Sequence, residues 1–288
     1  MTAATGRTVL TLAALTLQES SRRRVLRALA ALTLLLLALS AWGFSRLAGL
    51  DTQSGALTTG EARFAAALLL NLVMFGLSLI AALGTAFLAG PTLAGEVESG
   101  LALAVLARPV RRSAIVLGKW LGLVGFGGGF VVLAGLAEFL LVRITVGYWP
   151  PRPLTGLALL VVQTAVLLTL GLLLSTVISP LASGVVAVGL FGTCWIAGVV
   201  GGVGASLGNE GVARVGVVSR VLLPTDGLWR GAMNAIQDPT ALGEYGGDPQ
   251  EFPFLGPAPL STPYLGWVAV WIALVLGLAI AAFRRRDV

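Results

Sequence analysis

Six long apolar runs, separated by shorter polar segments, form the pattern of this chain. Each run has about 20 residues or more, and a bilayer core about 30 Å thick needs roughly 20 apolar residues per helix. The runs are apolar on every side, whereas barrel strands alternate apolar and polar positions. We therefore predict an all-α, polytopic membrane protein. Its six predicted transmembrane helices are Val25–Leu47, Phe64–Ala89, Val116–Leu141, Leu154–Ile178, Leu181–Leu207 and Tyr264–Phe283.

We predict that the chain forms a single transmembrane domain, residues 1–288, which the polar segments divide into regions. These regions are a cytoplasmic N-terminal segment (1–24), spans one to five (25–207), an extracytoplasmic segment with short helices (208–263) and span six with a cytoplasmic tail (264–288). Within the N-terminal segment, Thr8–Ser21 predicts an interfacial helix, in which Val9, Leu12 and Leu15 face lipid and the polar side chains face water.

Positive charges beside the spans predict the orientation. The chain carries 19 Lys and Arg against 13 Asp and Glu, a net charge of +6. With the N-terminus inside, twelve basic residues cluster at helix ends on the inner side and seven are scattered on the outer side. Because cytoplasmic loops are enriched in Lys and Arg, we predict that both termini are cytoplasmic. The predicted location is the plasma (inner) membrane of a prokaryote.

The composition argues against most kinds of catalytic site. The chain has no histidine, which is the commonest general base and metal ligand, and its single cysteine, Cys194, lies within the fifth span. Gly118-Lys119 lacks the glycine spacing and the following Ser or Thr of a phosphate-binding loop. We therefore expect no catalytic residue, no metal site, no nucleic-acid partner and no ATP hydrolysis by this chain itself.

Few polar side chains lie within the spans. Asn71 and Gln163 are uncharged, and Glu138 is the only acid in a span. Glu138 follows Lys119 by 19 residues, or about 28 Å at 1.5 Å per residue. This spacing predicts a position at the outer boundary, where Glu138 snorkels or pairs with Arg143. Ion-coupled transport usually needs charge near the midplane, so the sequence favours an energy source outside this chain.

Glycine pairs four residues apart recur in the spans. Small residues at this spacing let two helix backbones approach closely in lipid. We predict close helix packing at these pairs, against the alternative that glycine, with 38 copies, is simply common here. The pairs are Gly118/Gly122, Gly125/Gly129, Gly198/Gly202 and Gly204/Gly208.

The polar segment between spans two and three, Pro91–Lys119, is the most informative. It predicts an inner loop with a short helix, in which Glu96 and Glu98 stand at the positive end of the helix dipole and Pro109 marks the other end. Arginines gather at that other end, at Arg108, Arg111 and Arg112. Such a helix suits a cleft on a soluble partner; the alternative is an ordinary positively charged connector.

Two motifs in the chain resemble a known family. The first comprises Glu96, Glu98, Gly100, Leu106, Pro109, Arg112 and Gly118-Lys119, with Leu101 where the family has Thr. The second is Leu223–Arg230, which precedes the last span. Both motifs, with the six-span layout, resemble the permease subunits of ABC-2-type transporters, in the branch that includes the permease of nitrous oxide reductase maturation.

The resemblance implies a role for each motif. The inner segment would be a coupling helix that docks on a separate ATP-binding subunit; that partner holds ATP and Mg, and this chain binds no cofactor. Two permease copies would pair as a homodimer in the lipid bilayer. The residues implied in ATPase coupling are Glu96, Glu98, Gly100, Leu106, Arg108, Pro109, Arg111, Arg112 and Lys119. The candidates for an extracytoplasmic gate are Pro224, Asp226, Trp229 and Arg230.

The expected function is that of the membrane permease subunit of an ABC transporter, which exports a substrate that the sequence does not identify. One alternative is an ion-coupled secondary transporter or channel that uses Glu138. Another is a non-transporting membrane scaffold for the assembly of an extracytoplasmic metalloenzyme, with residues 208–263 binding the outer protein partner.

Overall fold

A computed structural model of the chain describes residues 2–22, 24–54, 59–98, 111–238, 254–256 and 258–285. Across these ranges the fold is all-helical, with nine α-helices and no strand, as the apolar runs predict. In chain order the helices are α1 (Thr2–Arg22), α2 (Arg24–Ser54), α3 (Thr59–Glu98), α4 (Arg112–Val146), α5 (Pro153–Ser175), α6 (Pro180–Ser206), α7 (Glu210–Leu222), α8 (Thr225–Ile236) and α9 (Thr262–Arg285).

Six of these helices, α2 to α6 and α9, are long and apolar enough to cross a membrane, which confirms the six predicted spans. Their ends differ from the predicted ends by three residues at most, except that the third span is longer at both ends. The apolar stretches are Val25–Gly49, Phe64–Thr92, Arg112–Val146, Pro153–Ser175, Pro180–Ser206 and Thr262–Arg285.

Helices α3 and α5 form the centre of the bundle. The most apolar window of each is 61% buried, compared with 11% for α2 at the periphery. Helix α5 contacts α3, α4, α6, α8 and α9. The two central helices carry the deep amides Asn71 and Gln163, both buried. A polar side chain within the membrane is costly in contact with lipid and almost always faces protein, so these amides favour a central position for their helices.

Helix α1 packs across α4. A Cβ atom built on Gly118 would lie 2.6 Å from the Cβ of Leu12, and one built on Gly122 would lie 2.6 Å from the carbonyl oxygen of Ala13. The Gly118/Gly122 pair is thus confirmed as a close-packing site. The prediction that Leu12 faces lipid was wrong, because α1 fills the groove that these glycines leave on α4. Leu15 is exposed.

Helices α7 and α8 form a re-entrant hairpin that packs among the spanning helices. Helix α7 runs back along α6, and α8 begins at Thr225, whose carbonyl oxygen accepts a hydrogen bond from Gln163 Nε2 at 3.3 Å. Gln163 lies ten residues into α5, or about 15 Å at 1.5 Å per residue. The hairpin therefore reaches about half the depth of a bilayer core about 30 Å thick.

Three glycines on one face of α6 contact the hairpin, namely Gly198, Gly201 and Gly204. A Cβ atom built on Gly201 would lie 2.5 Å from the Cα of Gly216 in α7. This face uses a spacing of three residues, so the predicted Gly198/Gly202 and Gly204/Gly208 pairs do not describe the contact. Gly208 instead ends the helix with a φ of 66°, a left-handed conformation that suits glycine.

A Cβ on Gly129 would meet nothing within 4 Å, so the Gly125/Gly129 pair is not a packing site within the described part of the chain.

The bundle has two ends. At one end, which we call the Arg112 end, α3, α5 and α9 finish and α4 and α6 begin. The re-entrant hairpin enters from the opposite end, where Tyr148 Oη donates to the carbonyl oxygen of Ile236 at 2.8 Å. Each end holds one of the two motifs found in the sequence.

Candidate functional site

Two basic side chains of α4 hold neighbouring helices at the Arg112 end. Lys119 is buried, and its Nζ donates to the carbonyl oxygen of Thr92 in α3 at 2.6 Å. Arg112 Nη1 donates to the carbonyl oxygens of Phe283 at 3.2 Å and Arg284 at 3.0 Å, close to the end of α9. A cation is favourable beside the last carbonyls of a helix, which carry the negative end of its dipole. The first turns of α4 are thus tied to both α3 and α9.

The glutamates of the first motif lie in a different place from the one predicted. Glu96 and Glu98 belong to the last turn of the 40-residue helix α3, so they do not begin a separate helix. Helix α3 is about 60 Å long at 1.5 Å per residue, and it continues past its apolar span, which ends at Thr92. Pro91 lies inside the helix and does not end it, although an interior proline removes one backbone hydrogen bond.

The other coupling residues are only partly described. Arg111 is exposed and extended directly before α4. Gly100, Leu106, Arg108 and Pro109 lie outside the described residues, as does most of the predicted coupling helix. Helix α3 and helix α4 nevertheless place the backbone of both flanks of this segment at the Arg112 end.

An apolar groove lies beside these contacts, between α3 and α6. Its volume is about 570 Å³. The groove is lined from α3 by Leu83, Phe87 and Pro91, and from α6 by Leu181, Val185 and Val188. Leu181 and Val185 are 73% and 65% exposed, so this face of α6 is largely uncovered in a single copy. No sequence signal marks the groove, because both spans are apolar on every side.

The second motif comes together inside the hairpin. Pro224 directly precedes α8, and the side chain of Asp226, in its first turn, is completely buried. Asp226 Oδ2 accepts hydrogen bonds from Arg220 Nε at 2.8 Å and from Arg230 Nε at 3.0 Å. One carboxylate thus faces two guanidinium groups. Arg220 is not among the site residues predicted from the sequence. Its position on the amphipathic helix α7, six residues before Asp226, could have indicated that it belongs to the site.

Trp229 forms the apolar side of the same site. It is 1% exposed and packs in an aromatic cluster with Phe75 of α3, Trp195 of α6 and Phe254. Ring centroids are 5.7 Å apart for Phe75 and Trp229 and 4.6 Å apart for Phe75 and Trp195. The cluster joins the hairpin to the two helices that form the apolar groove. The predicted gate residues therefore lie within the bundle.

The buried amides fasten the hairpin to the central helices. Asn71 Nδ2 donates to Gln237 Oε1 at 3.3 Å and to the carbonyl oxygen of Phe254 at 2.9 Å. Gln163 Oε1 accepts a hydrogen bond from Ser78 at 3.2 Å, while its amide nitrogen donates to Thr225. Asn71 and Gln163, identified as intramembrane polar residues, thus hold the hairpin in place. Gln237 and Ser78 were missed.

Helix α9 satisfies the carbonyl groups at the C-terminal end of α7. The last carbonyls of a helix have no partner in that helix, and in an apolar region each unsatisfied group costs several kcal/mol. Three aromatic donors of α9 supply the partners. Trp271 Nε1 donates to Leu222 at 2.8 Å, Trp267 Nε1 to Val221 at 3.1 Å and Tyr264 Oη to Arg220 at 3.1 Å.

Glu138 lies within the bundle. It is buried, and its Oε1 accepts a hydrogen bond from Ser40 Oγ of α2. The predicted pairing with Arg143 is not present, because Arg143 lies over the ring of Trp149, 5.3 Å from its centroid. The position of Glu138 relative to the membrane boundary stays a prediction. Helix α4 continues to Val146, so Glu138 lies about 12 Å inside the helix end at 1.5 Å per residue.

Comparison with known proteins gives one family. A family model described as "ABC-2 family transporter protein" matches residues 10–288 of this chain. The comparison with curated proteins gives no match. The matched region includes all six spans and the re-entrant hairpin.

Proposed function

Because the chain belongs to the ABC-2 transporter family, it is a membrane permease subunit of an ABC transporter, and we propose that two copies work with a separate ATP-binding subunit to export an apolar or amphipathic substrate. The Arg112 end is cytoplasmic in this proposal, in the inner membrane of a prokaryote. The ATP-binding partner holds ATP and Mg, and this chain supplies the passage.

The observation that carries the proposal is the set of contacts at the Arg112 end. The segment between α3 and α4 is tied on one flank to the end of α3, and Lys119 of α4 binds α3 directly. Arg112 ties the same end of α4 to α9. A partner that moves this segment therefore acts on three spanning helices at once. Packed helices can carry such a displacement across the membrane as rigid elements.

The groove between α3 and α6 supports a pathway between two copies. Its lining is apolar, and α6 is uncovered along this face within the described part of the chain. A volume of about 570 Å³ falls within the size range of small-molecule pockets, roughly 300–1,000 Å³. Two such grooves that face each other would form an enclosed passage. Its lining favours a substrate with a substantial apolar part.

The test is charge reversal of the glutamates at the end of α3. The permease with Glu96→Lys and Glu98→Lys is expressed together with its ATP-binding subunit. Co-purification of the two subunits and ATP hydrolysis by the complex are then measured. We expect the ATP-binding subunit to be lost from the complex. Glu210→Lys is the matched control, because it reverses an exposed charge on α7 at the opposite end of the bundle.

A second variant separates docking from transmission. Lys119→Met removes the hydrogen bond to Thr92 and keeps a long side chain in the same place. We expect this complex to assemble, with ATP hydrolysis no longer coupled to movement of the spans. If the double glutamate variant assembles and hydrolyses ATP like the wild type, the proposed docking site is wrong.

A further inference from the structure

A cavity with two arginines in its wall lies between the end of α6 and the re-entrant hairpin. Its volume is about 240 Å³. Small residues form most of its wall, and two arginines complete it: the lining is Gly201, Gly202, Ala205, Ala213, Gly216, Val217, Arg220 and Arg230. Ala205 is one residue from the end of α6, whereas Arg220 lies ten residues into α7. The cavity therefore extends from the end of the bundle into its interior.

The two arginines carry more positive charge than the described residues around them balance. Asp226 accepts from the Nε atoms of Arg220 and Arg230, so one negative charge faces two positive charges. Arg230 is 8% exposed, and its Nη2 atom is buried without a hydrogen-bond partner among the described residues. A buried guanidinium donor without a partner is costly, because the water that it loses is not replaced. Arg230 also lines the cavity, which therefore lies beside this buried guanidinium.

The chemistry of the donors selects the class of ligand. A guanidinium group presents a planar set of N–H donors that suits the oxygen atoms of phosphate and carboxylate groups. In this site the Nε atoms are occupied by Asp226, and the Nη2 atom of Arg230 is unpaired within the described part of the chain. Cavity walls of glycine and alanine leave the space that a tetrahedral oxyanion needs.

We propose that this cavity binds a phosphate group, which pairs with Arg220 and Arg230 and balances the excess positive charge. The phosphate belongs either to a phospholipid headgroup or to a free anion from the medium. The first source is supported by Val217, which lines the cavity and is 58% exposed on the apolar face of α7. The second is supported by the extension of the cavity to the end of α6. This inference does not depend on the proposed ATP-binding partner.

The experiment measures binding of two probes to the purified full-length chain in a neutral detergent. One arm titrates inorganic phosphate, and the other adds phosphatidylglycerol to the micelles. Thermal unfolding and the intrinsic tryptophan fluorescence, to which Trp229 directly beside Arg230 contributes, report on binding. Tightly retained lipid is counted by native mass spectrometry. Stabilisation by phosphate identifies the free anion, and stabilisation by phosphatidylglycerol alone identifies the headgroup.

Variants assign the binding to this cavity. Arg220→Gln removes one guanidinium and keeps the Arg230–Asp226 pair, so we expect binding about tenfold weaker, the value of one charge-assisted hydrogen bond. Ala205→Leu narrows the cavity without changing its charge and should also weaken binding. Arg214→Gln is the matched control, because Arg214 is on the same helix but is exposed and bound only to Glu210. It should bind like the wild type.

Two results would overturn the proposal. The first is that neither phosphate nor phosphatidylglycerol stabilises the wild-type chain. The second is that Arg220→Gln and Ala205→Leu both respond to the probes like the wild type, which would place the binding elsewhere on the protein. Folding of each variant is checked by its unfolding transition without probe. If Arg220→Gln does not fold, Ala205→Leu still decides the question.

Discussion

Replacing Asp226 with asparagine tests whether the hairpin depends on its buried charges. In the native protein the Asp226 side chain has no exposed surface, and its Oδ2 lies 2.8 Å from Arg220 Nε and 3.0 Å from Arg230 Nε. Asparagine has nearly the same shape but no charge, so two positive groups stay close together without a counter-charge. Breaking a buried ion pair by removing one partner costs about 3–5 kcal/mol. Since the Arg220 side chain is 31% exposed, solvent screens part of this cost, and we expect about 3 kcal/mol.

The assay is equilibrium unfolding of the full-length chain in neutral detergent, followed by tryptophan fluorescence. Trp229 lies within the buried aromatic cluster and reports on the hairpin. Glu210→Gln is the matched control, because it breaks an ion pair on the same hairpin at 3.3 Å between side chains that are 77% and 86% exposed. An exposed pair contributes between 0 and about 1 kcal/mol.

The comparison of the two variants decides the outcome. A loss for Asp226→Asn no larger than that for Glu210→Gln would refute the claim that the buried carboxylate stabilises the hairpin. Salt provides an additional criterion. Raising the ionic strength should weaken the exposed Glu210–Arg214 pair, because salt screens surface charges far more than buried ones, and should leave the effect of Asp226→Asn nearly unchanged.

Two further substitutions test the packing and the energy source. Gly201→Ala places a methyl group 2.5 Å from the Cα of Gly216, and overpacking should cost about 1–3 kcal/mol in thermal unfolding; Gly192→Ala, with nothing within 4 Å of the added Cβ, is the control. Glu138→Gln keeps an oxygen acceptor for Ser40 and should leave ATP-driven transport in proteoliposomes unchanged. Loss of transport in this variant, together with sensitivity to an uncoupler, would favour the ion-coupled alternative.

The sequence predicts the spans because the bilayer sets their length. Each apolar run is long enough to cross the hydrocarbon core, and no other structure of that length satisfies its backbone there. Apolar runs contain much less information about helix packing. Gly198 and Gly201 face the hairpin, whereas Gly129 faces nothing, although all three stand in glycine-rich stretches. Which glycine is used depends on where a partner helix crosses, and that is a tertiary property.

The error in the candidate site concerns a helix end. Glu96 and Glu98 were predicted at the start of a short helix, because carboxylates favour the positive end of a helix dipole. In the structure α3 continues past its apolar stretch, which ends at Thr92, as far as Glu98, so both glutamates lie in its last turn. Helix α4 likewise begins and ends beyond the predicted third span, at Arg112 and Val146. Composition therefore finds the spans but does not fix where each helix ends.

Helix α3 connects the two candidate sites physically. At the Arg112 end it receives the hydrogen bond of Lys119 at Thr92, and near its middle Phe75 contacts Trp229 of the hairpin. The two positions are 17 residues apart, or about 25 Å along the helix at 1.5 Å per residue. The stretch of α3 between these two positions contributes to the lining of the apolar groove. A displacement of its extension past Thr92 that moved α3 as a rigid body would therefore change both the groove and the packing around Trp229. Pro91 removes one backbone hydrogen bond between the extension and the span. A bend at Pro91 would therefore weaken the transmission of a displacement from the extension to the rest of α3. The hydrogen bond between Lys119 and Thr92, directly beside Pro91, would oppose such a bend.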